Sequence, residues 1–438
     1  MTRVPAQRAR SSLWRHRDFL LLWGGQSVSE LGSAVTVLAL PLTAVVVLRA
    51  STFQVGLLSA ASTAAFLAVA LPAGAVVDRL AKRWLMLACD AARLLIIGSV
   101  PVAAALGILT MAQLYAVALL AGLATVFFDV AYQSYLPALV SREQLLDGNG
   151  KLQTTAEAAR LGGPALGGGL VALVGAAGAM TADAASYAVS VGSLLLIRAP
   201  EPPPARQEER PGLRAGLTAG LAFVLREPIL RKIVACTGTA NLFASMGTAL
   251  EIVFLVRVLH VRPAVTGLIV ALAALGGVTG GASSQWLARR VGSARIIWVS
   301  MLALGPVGLL VPFARPGWGV LLFVAGWFGF SFTGVVYNVA QLSYRQAVCP
   351  PQLLGRMNAA VRWIVWGTLP LGGLLGGILG SAAGIRATLF AAAAGSWAAG
   401  LWVFFSPLRG MRDVPAPGTV TVDMPTGGPP RPATAAEG

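Results

Sequence analysis

Apolar residues along this chain run in stretches of about 20–25 positions, the length a helix needs to cross roughly 30 Å of hydrocarbon. Short polar or basic turns separate them. The pattern predicts helices near 19–47, 54–77, 84–106, 112–136, 150–174 and 177–197, and a second set near 229–257, 264–287, 293–313, 318–342, 356–382 and 385–406. The organisation that follows is an N-terminal tail (1–18), a six-helix bundle (19–197), a linker (198–228), a second six-helix bundle (229–406) and a C-terminal tail (407–438). The linker is rich in Pro and charge, with Pro200, Pro202, Pro203, Pro204, Glu208, Glu209 and Arg210. Leu213 to Arg226 reads as a helix lying at the membrane surface. The tail after Arg412, full of Pro and Gly, is expected to be disordered.

The two sets echo each other. Gly74-Ala75-Val76-Val77-Asp78-Arg79-Leu80-Ala81-Lys82-Arg83 recurs 207 residues later as Gly281-Ala282-Ser283-Ser284-Gln285-Trp286-Leu287-Ala288-Arg289-Arg290. Gln133, Val140 and Gln144-Leu145-Leu146 return at a spacing of 208 as Gln341, Val348 and Gln352-Leu353-Leu354. The expected fold is an all-α membrane protein, twelve transmembrane helices in two pseudo-symmetric six-helix bundles. Facing repeats of this kind are the machinery of alternating access.

Composition agrees: 56% of the 438 residues are hydrophobic, 11% are charged, and the mean hydropathy is +0.74. A soluble domain carries about 25% charged residues. The formal charge of +16 raises the question of nucleic acid, but its placement answers it. Of 33 Lys and Arg, 25 fall in the tails and loops of one side; only Arg49, Arg257, Arg262, Arg315 and Arg386 fall opposite, and Arg93, Arg160 and Arg362 lie within helices. That asymmetry puts both termini in the cytoplasm of a cell (inner) membrane protein, with the lipid bilayer and no nucleic acid as partner. Cys89, Cys236 and Cys349 are isolated, and His16 and His260 lie in different loops, so neither a disulfide framework nor a metal site is indicated. No cofactor is expected. The first apolar stretch is too long for a cleavable signal and has no cleavage pattern.

A carboxylate in hydrocarbon costs at least about 2.5–3.5 kcal/mol, so each intramembrane acid needs a partner, water or a function. Glu30, Asp90, Asp129, Glu157, Asp183 and Glu251 qualify. Polar residues recur at helical spacing on four predicted helices: Gln26, Glu30 and Ser33; Asp129 and Gln133; Asn241, Ser245 and Thr248; Tyr337, Asn338, Gln341 and Tyr344. These stripes are expected to line a central cavity, with interhelical hydrogen bonding the alternative for any single residue. Gln26, Glu30, Asp129, Gln133, Asn241, Tyr337, Asn338 and Gln341 are the candidate cargo contacts. Glu30, near mid-membrane, is neutral when desolvated and ionised when hydrated, as proton coupling requires; a hydrogen-bonded structural Glu is the alternative. Asp129 is the second candidate, with a salt bridge as its competing role. Asp90 with Arg93, and Glu157 with Arg160, stand one turn apart and are expected to neutralise each other inside the bundle. Glu251, near the outer end of its helix, is read as facing water.

These residues resemble the major facilitator superfamily over nearly the whole chain, and within it the drug–proton antiporter group that includes macrolide-efflux and enterobactin-exporter-like proteins. Gly74, Asp78, Arg79, Lys82 and Arg83 are similar to the signature between helices two and three, which in the family acts as a conformational latch; Gln285 replaces the acid in the second copy. Gly163-Pro164-Ala165-Leu166-Gly167-Gly168 is similar to the exporters' helix-five motif, a Pro-Gly bend with a smooth packing surface, and Pro370-Leu371-Gly372-Gly373 repeats it. Trp14-Arg15-His16-Arg17-Asp18-Phe19, Asp90-Ala91-Ala92-Arg93, Asp183-Ala184-Ala185-Ser186-Tyr187 and Leu225-Arg226-Glu227-Pro228 resemble subgroup patterns. The Arg that other drug exporters carry on helix four is missing. The resemblance implies the major facilitator fold, and a monomer, not an enzyme, that exports an amphipathic drug, metabolite or siderophore in exchange for protons.

A nutrient importer on the same fold, or a membrane sensor or scaffold, shares much of this pattern. An ATP-driven pump does not: Gly150-Lys151-Leu152 lacks the preceding Gly and the Ser/Thr that hold nucleotide and Mg²⁺.

Overall fold

The computed structural model describes residues 13–77, 79–141, 144–199 and 213–414. Asp78 of the expected latch, residues 200–212 of the linker, and the tails at 1–12 and 415–438 lie outside the described residues. α1 (Arg17–Leu42), α2 (Thr52–Val77), α3 (Lys82–Ala105), α4 (Met111–Leu139) and α5 (Leu145–Leu196) form the first half. α6 (Leu213–Arg226) follows the linker. α7 (Pro228–Val253), α8 (Pro263–Val291), α9 (Arg295–Val299), α10 (Val320–Val348), α11 (Pro351–Ala382), α12 (Ile385–Ala398) and α13 (Gly400–Phe404) form the second.

Among the described residues eleven helical segments are long and apolar enough to span a membrane, one of them the 50-residue stretch Asp147–Leu196. At about 1.5 Å per residue that stretch is more than two bilayer cores long. Gly175 folds it back with φ 75° and ψ 170°, a conformation open to glycine alone. The two arms supply the expected fifth and sixth crossings, and the total is twelve. Large apolar side chains such as Leu95, Leu173, Leu321 and Phe405 stand exposed on the outer surface, as lipid contact requires.

The repeat is legible in backbone detail. α1 loosens into a π-turn at Thr43–Val47, and α7 into another at Phe254–Val258. The residues that end these turns, Arg49 (φ 51°) and His260 (φ 54°), share left-handed backbone, and the amides of Ala50 and Val261 close matching hydrogen bonds to Ala44 and Leu255, both 2.9 Å. Those equivalents are 211 residues apart, whereas the basic strings match at 207. The difference is about one helical turn. It arises because α8 runs on to Val291: Gln285, Arg289 and Arg290 lie on the helix, and the turn follows at Gly292–Ala294.

The predicted regular helix at 293–313 is instead a short α-helix, a π-turn (Ser300–Leu304) and a 3-10 segment (Gly305–Phe313). Pro306 and Pro312 remove amide donors there. Arg386 donates to the carbonyls of Pro312 (2.6 Å) and Ala314 (2.8 Å) at the end of the segment. α6 occupies the residues expected of a surface helix and sets Gly220 against the backbone of Arg356 on α11. The described residues run two beyond Arg412. Asp413 accepts from the Ser293 amide (2.9 Å), and the amides of Ala294 and Arg295 donate to the Arg412 carbonyl (3.0 and 3.2 Å).

Candidate functional site

Between the halves lies a cavity of about 1100 Å³. Glycine positions its walls. In α5, Gly163 and Gly167 bring the backbone onto Ala34 and Val35 of α1, and Gly168 meets Gly267 of α8. In α11, Gly372 and Gly376 sit against Leu242 and Met246 of α7, and Gly377 meets Gly56 of α2. The two sets are related by the internal repeat, and both inter-half crossings belong to the end that carries the turns after α1 and α7. Arg257 ties that end further by donating to the carbonyl of Ala50. The cavity is shut there and extends the other way toward Gln133, Arg160 and Gly355.

Four expected cargo contacts line it: Gln26, Glu30, Asp129 and Gln133. Gln26 Nε2 donates to Glu30 Oε1 at 2.9 Å, one turn apart on α1. Asp129 is exposed to the cavity and forms no ion pair among the described residues, in contrast to the salt bridge considered for it. Glu251, read as facing water outside, lines the cavity half-buried.

The other four do not line the cavity. Asn241 Nδ2 donates to the Val365 carbonyl of α11 at 3.4 Å, and Tyr337 is buried, 2.8 Å from the Thr237 hydroxyl and donating to the Ile233 carbonyl at 3.2 Å. Gln341, buried in α10, donates to Asn338 Oδ1 at 2.8 Å and accepts from Arg345 at 3.4 Å. Tyr337, Gln341 and Tyr344 of the α10 stripe therefore serve packing within their own half, while Asn338 is exposed. From α7 only Thr248, Ala249, Glu251 and Ile252 reach the cavity. Arg345, grouped by sequence with the loop cations, is 8% exposed within the last turn of α10.

Asp90 and Arg93 form the expected pair, both buried. Ser190 donates to the second Asp90 oxygen at 2.6 Å, while the Arg93 guanidinium lies 4.3 Å from the Phe128 ring centroid and 4.6 Å from that of Tyr187. Pairing, hydrogen bonding and cation–π contact together offset the cost of burying two charges. Asp183, without a nameable partner in the sequence, faces the hydroxyls of Thr36, Ser186 and Ser33. Glu157 and Arg160 are 3.5 Å apart but with side chains 52% and 73% exposed, so this pair stands at a surface and not inside the bundle; Arg160 borders the cavity. In the latch segment Gly74 lies on α2, Arg79 is exposed in the turn, and Lys82 opens α3. Arg83 donates to Leu194 (2.8 Å) and Leu195 (2.9 Å), satisfying carbonyls left open at the end of α5. Pro164 of the α5 motif lines the cavity.

The second-half wall is one the polar stripes missed. It comes from α11, where Asn358, Arg362 and Trp366 recur every four residues beside Trp363, facing Phe66 of α2. A cation among tryptophans at helical spacing was the available signal.

A family model described as transmembrane secretion effector matches residues 10–420. The multidrug efflux pump Tap of Mycolicibacterium fortuitum is 25% identical over 370 residues, covering 82% of this chain and 88% of that protein. The enterobactin exporter EntS of Citrobacter koseri is 29% identical over 231 residues, 51% of each chain. The crystal structure of an inward-facing, occupied bacterial homolog of the human lysosomal transporter Spinster superposes with a TM-score of 0.70 at 15% identity, over 90% of this chain and 97% of that one. The chain belongs to the transmembrane secretion effector family of the major facilitator superfamily, and it is a multi-pass membrane transporter, not an enzyme.

Proposed function

We propose that the chain is a cell-membrane exporter, working as a monomer with both termini in the cytoplasm, that exchanges protons for an amphipathic small molecule by alternating access. The observation that carries this reading is the cavity between the halves, crossed at one end by paired glycine contacts and lined by Glu30 and Asp129. In the arrangement described, cargo enters from the cytoplasm. It meets Gln26, Glu30, Asp129 and Gln133 on one side and the aromatic wall of α11 on the other. Glu30, with Asp129, takes up a proton as cargo leaves, because a neutral carboxyl is the form that survives desolvation. The halves then rock about the repeat axis, and Gly74, Asp78, Arg79, Lys82 and Arg83 bias the two states. The export direction is supported by the relatives, named as efflux pump and exporter.

The test uses purified chain in liposomes with an imposed pH gradient and ethidium as probe. Accumulation in an acidic lumen, abolished by collapsing the gradient, is the expected result. Movement of ethidium in the same direction as protons would replace export with import.

A further inference from the structure

The two walls of the cavity differ in charge. The first-half wall carries Glu30, Asp129 and Asp183; of its cations, Arg93 is matched by Asp90 and Arg160 by Glu157, while α7 of the second half adds the acid Glu251. On the α11 wall Arg362 is exposed, its guanidinium 4.8 Å from the Trp366 ring centroid and 5.6 Å from that of Phe66. The two rings are 4.3 Å apart at 39°. Among the described residues neither Arg362 nor Arg345 takes part in an ion pair. Asn358, one turn before Arg362, also lines the cavity, and its Oδ1 accepts from Arg345 Nη2. A guanidinium can only donate, so this contact fixes the amide and leaves Nδ2 as a donor. Arg345 in turn is held by Gln341 and Asn358, neutral partners that leave its charge uncompensated.

We infer that the α11 wall is a seat for an anionic group, with the carboxylate of a planar aromatic cargo held by Arg362 and Asn358 Nδ2 and its ring against Phe66, Trp363 and Trp366. A guanidinium resting against a pair of packed rings is oriented before binding and weakly hydrated, so it exchanges water for a carboxylate at low cost. Cargo that also carries an amine meets Glu30 and Asp129 across the cavity. The inference rests on the transport reading and extends its cargo to aromatic acids and zwitterions.

The experiment titrates full-length protein in nanodiscs with dansylglycine, its neutral amide dansylglycinamide, and zwitterionic Nε-dansyl-lysine, reading energy transfer from tryptophan. Wild type is expected to bind dansylglycine at least about tenfold more tightly than the amide, the range of a charge-assisted hydrogen bond. Arg362→Gln is expected to erase that preference and Arg362→Lys to restore part of it. Equal affinity of wild type for acid and amide, or a preference that survives Arg362→Gln, would overturn the anion seat. The wild-type ranking decides the matter even where a variant fails to fold. Ethidium movement by wild-type liposomes is scored separately, so a protein that binds the acid without moving ethidium would sink the export reading and keep the seat.

Discussion

Gly56 and Gly377 cross so closely that a Cβ on Gly56 would lie 2.4 Å from the Cα of Gly377. Gly267, 211 residues after Gly56, meets Gly168 in the same fashion, its added Cβ 2.9 Å from the partner Cα and 2.0 Å from the Pro164 carbonyl. Backbone packs on backbone at both crossings, as small residues allow between helices in lipid. Closure of this end of the cavity is built from these contacts.

Gly56→Leu is therefore expected to disfavour the closed arrangement. Overpacking costs about 1–3 kcal/mol, a shift of roughly 5- to 150-fold in a two-state equilibrium. Spin-label distances across α2 and α11 should lengthen. Gly162→Leu, where an added Cβ meets nothing within 4 Å, is the control that should leave them unchanged.

The buried Asp90–Arg93 pair predicts an asymmetric response. Asp90→Asn strands the Arg93 charge and should destabilise by about 3–5 kcal/mol, visible as a lowered Tm in detergent. Combining it with Arg93→Gln should recover part of the loss. A double variant as unstable as the sum of its parts would mean the two groups do not act as a pair.

Glu30 tests the coupling. In Glu30→Gln, proton-driven accumulation of ethidium should fall by roughly an order of magnitude, within the span of a 1–3 kcal/mol coupling. Cargo exchange without a gradient should persist. Unchanged accumulation would take Glu30 out of the proton path.

Asp413 gives a pH dependence outside the membrane. The backbone amide of Ser293 holds its carboxyl below the usual carboxylate range, assisted by the Ser293 hydroxyl and nearby Arg412 and Arg295. The depressed group is ionised when folded, so its contribution is full above the ordinary value of about 3.9. It is lost as pH falls through the lowered folded value. At neutral pH, Asp413→Ala should speed hydrogen exchange several-fold at the Ser293 amide. Unaltered exchange would show that the C-terminal segment holds the turn through its other contacts, the Arg412 carbonyl and the Val414 amide on the Ser293 hydroxyl.

Fold class and the first-half site were legible because periodicity and hydrophobic length carry them directly. Gln26 and Glu30 share a helical face, and nothing else in α1 competes for it. The second half misled because a polar stripe does not say which neighbour satisfies it. Tyr337 and Gln341 have the right spacing, but Tyr337 is held by Ile233 and Thr237, brought near only by folding, and Gln341 by Asn338 and Arg345 on its own helix. A salt bridge was the competing role for Asp129, but Arg93, close to it in the bundle, is already taken by Asp90. The α11 wall escaped because Trp363 and Trp366, tryptophans in an apolar span, read as core or lipid contacts until a neighbouring helix is placed.

The strap from Arg257 to the carbonyl of Ala50 has no twin: Val46 stands at the corresponding place in the first half. Two otherwise matched hairpins are thus joined by a one-sided clasp with charge in it. Parting them sacrifices a bond that no mirror contact replaces, so an empty protein faces a threshold before that mouth can gape, and the barrier is written into one half alone.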